Sequence, residues 1–161
     1  MNKLLLIFLL FVFVSPILAQ KFDVDTLLYN DEPVNAYNLV IMGDGYTEAE
    51  LAKFKTDAQS FSDYFFSGVP YKHYKNYFNV FIVNVISPES GVKHPRTASD
   101  CPSASLHPQS DPNNYFGSSF DSYGIHRLVV LESPSKIGTV LFNSFPYYDL
   151  VIILANAPYY G

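Results

Sequence analysis

The stretch NLVIMGDGYTEAELAKF, residues 38–54, decides the fold. It divides into a short apolar run, a glycine-bounded turn and the start of an amphipathic helix. Residues 38–42 carry β-branched Val40 and Ile41 and stop at Gly43, which marks a buried strand. Thr47-Glu48-Ala49-Glu50 has capping-box spacing, so the Thr47 hydroxyl and the Glu50 carboxylate can satisfy backbone N–H groups at the helix start. The helix opened there places Leu51, Phe54, Ala58, Phe61 and Phe65 on one stripe, with Lys53, Lys55, Asp57 and Asp63 turned to solvent. Gly68 and Pro70 end it. FNVFIVNVI, residues 78–86, then gives a second strand, apolar enough to be buried on both faces. Strand, helix and strand in this order predict a βαβ unit and an α/β fold, with a mixed, mostly buried sheet and flanking helices.

Outward from this unit the pattern changes. Residues 20–37 form a polar lead-in with at most one short strand. Residues 87–124 are rich in Ser, Pro, Asn and Asp, hold Cys101, and show no periodicity. A connection of that length is usually functional or mobile. IHRLVVL, residues 125–131, predicts a third strand. Ser133-Pro134 predicts a helix start running through Phe142, and YDLVIILA, residues 148–155, a fourth strand. No helix-forming segment follows to cover that last strand, so the fold is expected to be incomplete at its C-terminus.

Residues 1–19 read as a secretory signal peptide. Lys3 precedes an apolar run over 4–14, Ser15-Pro16 breaks it, and Ala19 offers a small residue before a cut ahead of Gln20. Eleven helical residues rise about 16 Å, short of a roughly 30 Å hydrocarbon core, so no stable membrane anchor is expected. The protein should be secreted or periplasmic. With 17% aromatic and only 16% charged residues the chain is not intrinsically disordered. A net charge of −5 has the wrong sign for nucleic acid as partner.

The candidate chemistry is sparse. Gly43-Asp44-Gly45 sits where helix N-termini attract anions, yet Asp44 would repel one, and a turn with Asp44 bonding local backbone fits better. A hydrolase working through this turn would need Asp44 as a reacting group. Of the four histidines, His94 and His107 could converge with Asp111 on a metal, but no pair has helical H-E-x-x-H spacing and none combines with a cysteine in zinc-finger spacing. His126 reads as an ordinary strand histidine and His73 carries no signal. Cys101 lacks a nucleophile's local signature. Phe61, Tyr64, Phe65, Phe66, Tyr71, Tyr74, Tyr77 and Phe78 suit a core better than a sugar-stacking face. These residues assemble no complete catalytic site.

Four blocks in register, NLVIMGDGYTEAELAKF, PYKHYKNYFNVFIVNVISPESGV, NYFGSSFDSYGIHRL and YYDLVIILANAPYYG, together resemble the amino-terminal half of the catalytic domain of the secreted IgA-type zinc metallopeptidases, metallopeptidase family sixty-four. The resemblance covers residues 38–161. It implies a zincin-like subdomain, a protein or peptide substrate, and zinc in the full-length parent, held by an H-E-x-x-H helix that lies beyond this sequence. No catalytic or metal residue carries over, so the fragment is expected to bind no catalytic zinc and to be inactive. Asn156, Tyr159, Tyr160 and Gly161 would lead toward the edge strand where such enzymes bind substrate, and Cys101 could have a disulfide partner in the missing half. The alternative is a non-catalytic exported module that binds glycan or protein through its Tyr-rich surface. The residues give no indication of oligomeric state.

Overall fold

The computed structural model describes residues 20–158. The expected signal peptide and Tyr159, Tyr160 and Gly161 lie outside the described residues. The order is β1 (Val24–Leu28), β2 (Tyr37–Asp44), α1 (Leu51–Phe65), α2 (Tyr71–Tyr74), β3 (Phe78–Val83), β4 (Ser118–Ser119), β5 (Val130–Leu131), α3 (Ser135–Ser144) and β6 (Leu150–Ala155). Four strands form one mixed sheet in the order β1-β3-β2-β6. β2 lies parallel to β3 and to β6, while β1 runs antiparallel to β3. The βαβ unit expected from residues 38–86 is therefore β2-α1-β3, and it occupies the centre of the fold.

Alternation along β2 explains why the sheet needs cover on both faces. Leu39 and Ile41 point to one side with Val80 and Ile82 of β3, where Phe54 and Ala58 of α1 pack on them. Val40 and Met42 point to the other side with Phe81 and Val83, under Val140 and Leu141 of α3 and Phe116 of the long connection. A parallel sheet buried on both faces reads as continuous apolar sequence for this reason. The aromatic run divides between core and surface: Phe66 and Phe78 are buried, whereas Tyr64, Tyr71, Tyr74 and Tyr77 are exposed. Tyr71 is exposed yet stacks on Phe65 at 4.0 Å between ring centroids.

One expectation needs correction. Residues 125–131 do not form a third strand of the main sheet; only Val130–Leu131 is extended, and it pairs with β4 in a separate two-stranded ribbon. The reason lies just upstream. Asp121, Tyr123 and Gly124 adopt positive φ, and the Asp121 and Ser122 amides donate to the His126 and Leu128 carbonyls. That tight turn consumes backbone groups a sheet strand would need, and Ile125, Leu128 and Val130 stay exposed. β6 is apolar as predicted, and every residue in it is half-buried. It is an outer strand, paired on its β2 side alone among the described residues.

The turn after β2 depends on backbone proximity. Gly45 has φ +77°, and a Cβ there would lie 2.2 Å from the Gly91 carbonyl oxygen. The Gly91 amide donates to the Gly45 carbonyl at 2.9 Å. Left-handed backbone costs about 1–2 kcal/mol and overpacking about 1–3 kcal/mol. Gly45→Ala should thus lower stability by roughly 2–5 kcal/mol in urea unfolding; an unchanged midpoint would refute the close approach.

Candidate functional site

Asp44, the last residue of β2, is fully buried. Its Oδ1 accepts the Phe116 amide at 2.8 Å and the Ser87 hydroxyl at 3.3 Å; its Oδ2 accepts the Ser118 amide at 2.8 Å and the Ser118 hydroxyl at 2.5 Å. The reading of Asp44 as a structural acceptor holds, but its partners are 72 and 74 residues away rather than local. The Gly45 amide, which an anion would need, donates to Ser87 Oγ at 2.9 Å. Asp44 is therefore a clamp on the long connection and is placed neither to attack nor to bind a solvent-borne substrate.

Asn156 closes the same turn from the end of β6. Its amide donates to the Asp44 carbonyl at 2.9 Å, and its Nδ2 donates to the Gly45 carbonyl at 2.8 Å and to Glu50 Oε1 at 3.2 Å. Lys53 Nζ donates to Asn156 Oδ1 at 3.1 Å. Glu50 also accepts from the Thr47 amide at 3.0 Å, the expected capping box, and from Ser90 Oγ at 2.8 Å. Asn156 thus ties strand ends together and turns its side chain away from the outer edge of β6. Two open clefts flank it. One of about 460 Å³ is lined by Ser90, Pro108, Ser110 and Pro112, and one of about 710 Å³ by Tyr46, Lys53, Tyr64 and Leu154.

A second constellation lies inside the long connection. His94 Nε2, Cys101 Sγ, Asp121 Oδ1 and His126 Nδ1 all fall within 4.8 Å of one another. Cys101 Sγ lies 3.2 Å from Asp121 Oδ1, 3.7 Å from His126 Nδ1 and 3.9 Å from His94 Nε2. Asp121 Oδ1 lies 2.8 Å from His126 Nδ1 and 3.5 Å from His94 Nε2. His94, Asp121 and His126 are buried. A surrounding layer holds these side chains in place. His94 Nδ1 donates to the Pro108 carbonyl at 3.0 Å, and His126 Nε2 meets His107 Nδ1 at 2.7 Å. The Thr97 amide donates to Asp121 Oδ2 at 3.0 Å, and the Arg96 guanidinium binds the His107 and Pro102 carbonyls. Burial alone would raise the Asp121 carboxyl, but bonds from His126, Cys101 and Thr97 hold it below its usual range. Burial and the Asp121 bond push the Cys101 thiol up. Burial and the neighbouring His126, His94 and Arg96 lower His107.

The cluster is not a Cys-His-Asp nucleophile. Such a triad uses opposite nitrogens of one imidazole, one facing the nucleophile and one facing the carboxylate. Here Cys101 and Asp121 both face Nδ1 of His126, and the thiol is shifted away from its reactive form. The sequence-based grouping of His94, His107 and Asp111 is only partly realised. His107 stands behind His126, and Asp111 is 87% exposed, 3.8 Å from Lys93 Nζ. His126, expected in a strand, sits in a turn at the centre of the cluster, and His73 is exposed. Cys101 and Asp121 were missed because their spacing follows no finger-type rule; the usable signal was a single cysteine among histidines and aspartates in a long aperiodic loop.

An α/β core with no H-E-x-x-H in its sequence, and with a His-Cys-Asp-His cluster in a loop, does not by itself define an enzyme. Comparison with known families supplies the class. Residues 27–161 match the family described as IgA peptidase M64, a family of metallopeptidases. The chain belongs to that family, in agreement with the resemblance of its four sequence blocks. No curated protein matches it.

Glu50 generates a pH prediction. Bonds from Thr47, opposed by partial burial and helped by Ser90 and Asn156, hold its carboxyl below the usual glutamate value. A lowered folded-state pKa gives stability that is present above the unfolded value and lost as pH falls through the folded one. Unfolding midpoints measured from pH 6 down to pH 3 should fall less steeply for Glu50→Gln than for the wild type; parallel curves would contradict the assigned bonding.

Proposed function

We propose that these residues form the non-catalytic, amino-terminal part of an exported zinc-dependent metalloendopeptidase with a zincin-like fold. Membership of the IgA peptidase M64 family carries this reading. In zinc peptidases two histidines on one helical face hold the metal, which supplies hydroxide near neutral pH, and a glutamate serves as general base. The residues here do not fit that centre. H-E-x-x-H occurs nowhere in the sequence, and the histidines of the His94, Cys101, Asp121 and His126 cluster stand in a β-bridge and a turn rather than on one helical face. The catalytic ligands therefore come from sequence outside these residues, and no step of peptide hydrolysis runs through this chain's own side chains.

The proposed contribution of this chain is the platform. β2 and β6 end together at the Asp44, Gly45 and Asn156 latch, and ligands of open α/β sheets gather beyond such strand ends. A half-buried, apolar outer strand such as β6 is an aggregation hazard unless it is paired or covered. Residues 1–19 direct export and are removed ahead of Gln20, and zinc and a protein substrate are the partners.

The test uses the full-length exported protein. Casein should be cleaved in the presence of zinc, cleavage should stop with a chelator, and zinc should restore it. Folded, zinc-loaded protein that cleaves nothing but binds glycan through its exposed tyrosines would overturn the proposal.

A further inference from the structure

We propose that His94, Cys101, Asp121 and His126 bind a structural zinc ion that pins the connection between β3 and α3. The chemistry of the set fits zinc: two imidazoles, one thiolate and one carboxylate are the donor types of closed tetrahedral sites. Zinc bonded at the usual lengths to sulfur, nitrogen and oxygen places its donors about 3.3–3.6 Å apart. Five of the six separations run from 2.8 to 3.9 Å around that value, and all six lie within 4.8 Å.

The layer behind the donors is of the kind metal sites require. A ligating histidine almost always gives its other N–H to a fixed acceptor, which sets the tautomer and aims the lone pair at the metal. The Pro108 carbonyl can only accept, so His94 carries its proton on Nδ1 and presents a lone pair on Nε2, the atom in the cluster. His126 is placed equivalently, with Nδ1 in the cluster and Nε2 against His107 Nδ1. On metal binding the Cys101 thiol gives up its proton to solvent, and the His126 proton resides on Nε2, donated to His107.

The four donors also do what a structural ion is for. They come from separate points of an aperiodic stretch, one from the His94–Ser110 bridge, one from the turn at Cys101 and two from the Asp121–His126 turn. Four protein ligands fill the tetrahedron, so this ion is structural and not the metal of peptide hydrolysis. The assignment is independent of the peptidase reading, since all four donors are residues of this chain.

The experiment uses the full-length protein and zinc alone as probe. Metal analysis of the purified wild type should give one more zinc per chain than His94→Ala or Cys101→Ser, whether or not a catalytic zinc is also present. Cobalt in place of zinc should show a thiolate-to-metal charge-transfer band that Cys101→Ser lacks. Since variants in this buried cluster could fail to fold, a wild-type measurement accompanies them. Cys101 should react slowly with a thiol reagent until a chelator is added, then at least tenfold faster, with zinc restoring protection. Equal zinc content in folded wild type and variants, or thiol reactivity unmoved by chelator and zinc, would overturn the site and leave a hydrogen-bonded His-Asp cluster.

Discussion

The Asp44 carboxylate holds the two halves of this structure together. It is buried at the end of the central strand, and its acceptor capacity is filled by two amides and two hydroxyls from the connection that follows β3. Burying a charged group costs several kcal/mol unless it is paired or fully hydrogen-bonded. Each hydrogen bond to it contributes about 1.5–3 kcal/mol. Sheet and connection are thus mutually dependent: without the loop the carboxylate is orphaned, and without the carboxylate the amides of Phe116 and Ser118 are. Phe116, seated by this bond, also completes the apolar layer over Val40 and Met42.

The latch at Asn156 and the cluster at His94 extend the same logic beyond Asp44. Asn156 ties β6 to the turn after β2, so the ends of the two parallel strands are held in register where a ligand platform is expected. The His-Cys-Asp-His cluster adds polar crosslinks inside the connection itself, beside the buried ring of Phe120. A long connection between β3 and α3 that would otherwise pay a large ordering cost is fixed by the Asp44 clamp and by this cluster.

The central fold was legible in the sequence because its signals are local. The strand 38–42, the Thr47–Glu50 capping box and the stripe through Phe54 and Ala58 each depend on neighbours a few residues away, and all appear as read. The readings that failed depend on distance. IHRLVVL looks like a strand by composition, but positive φ at Asp121 and Tyr123 turns the chain and leaves it on the surface. Asp44 was read as bonding locally because nothing in the sequence marks Phe116 and Ser118 as its partners. The cluster was missed for the same reason: Cys101 and Asp121 stand at no motif spacing, and only the fold of the connection brings them to His94 and His126.

Native-state hydrogen exchange at Phe116 and Ser118 tests the dependence on Asp44 most directly. If the carboxylate joins loop and sheet into one cooperative unit, these two loop amides exchange only through global unfolding, at the rate of the β3 core amides. Fast, loop-like exchange at Phe116 and Ser118 while β3 stays protected would contradict the account.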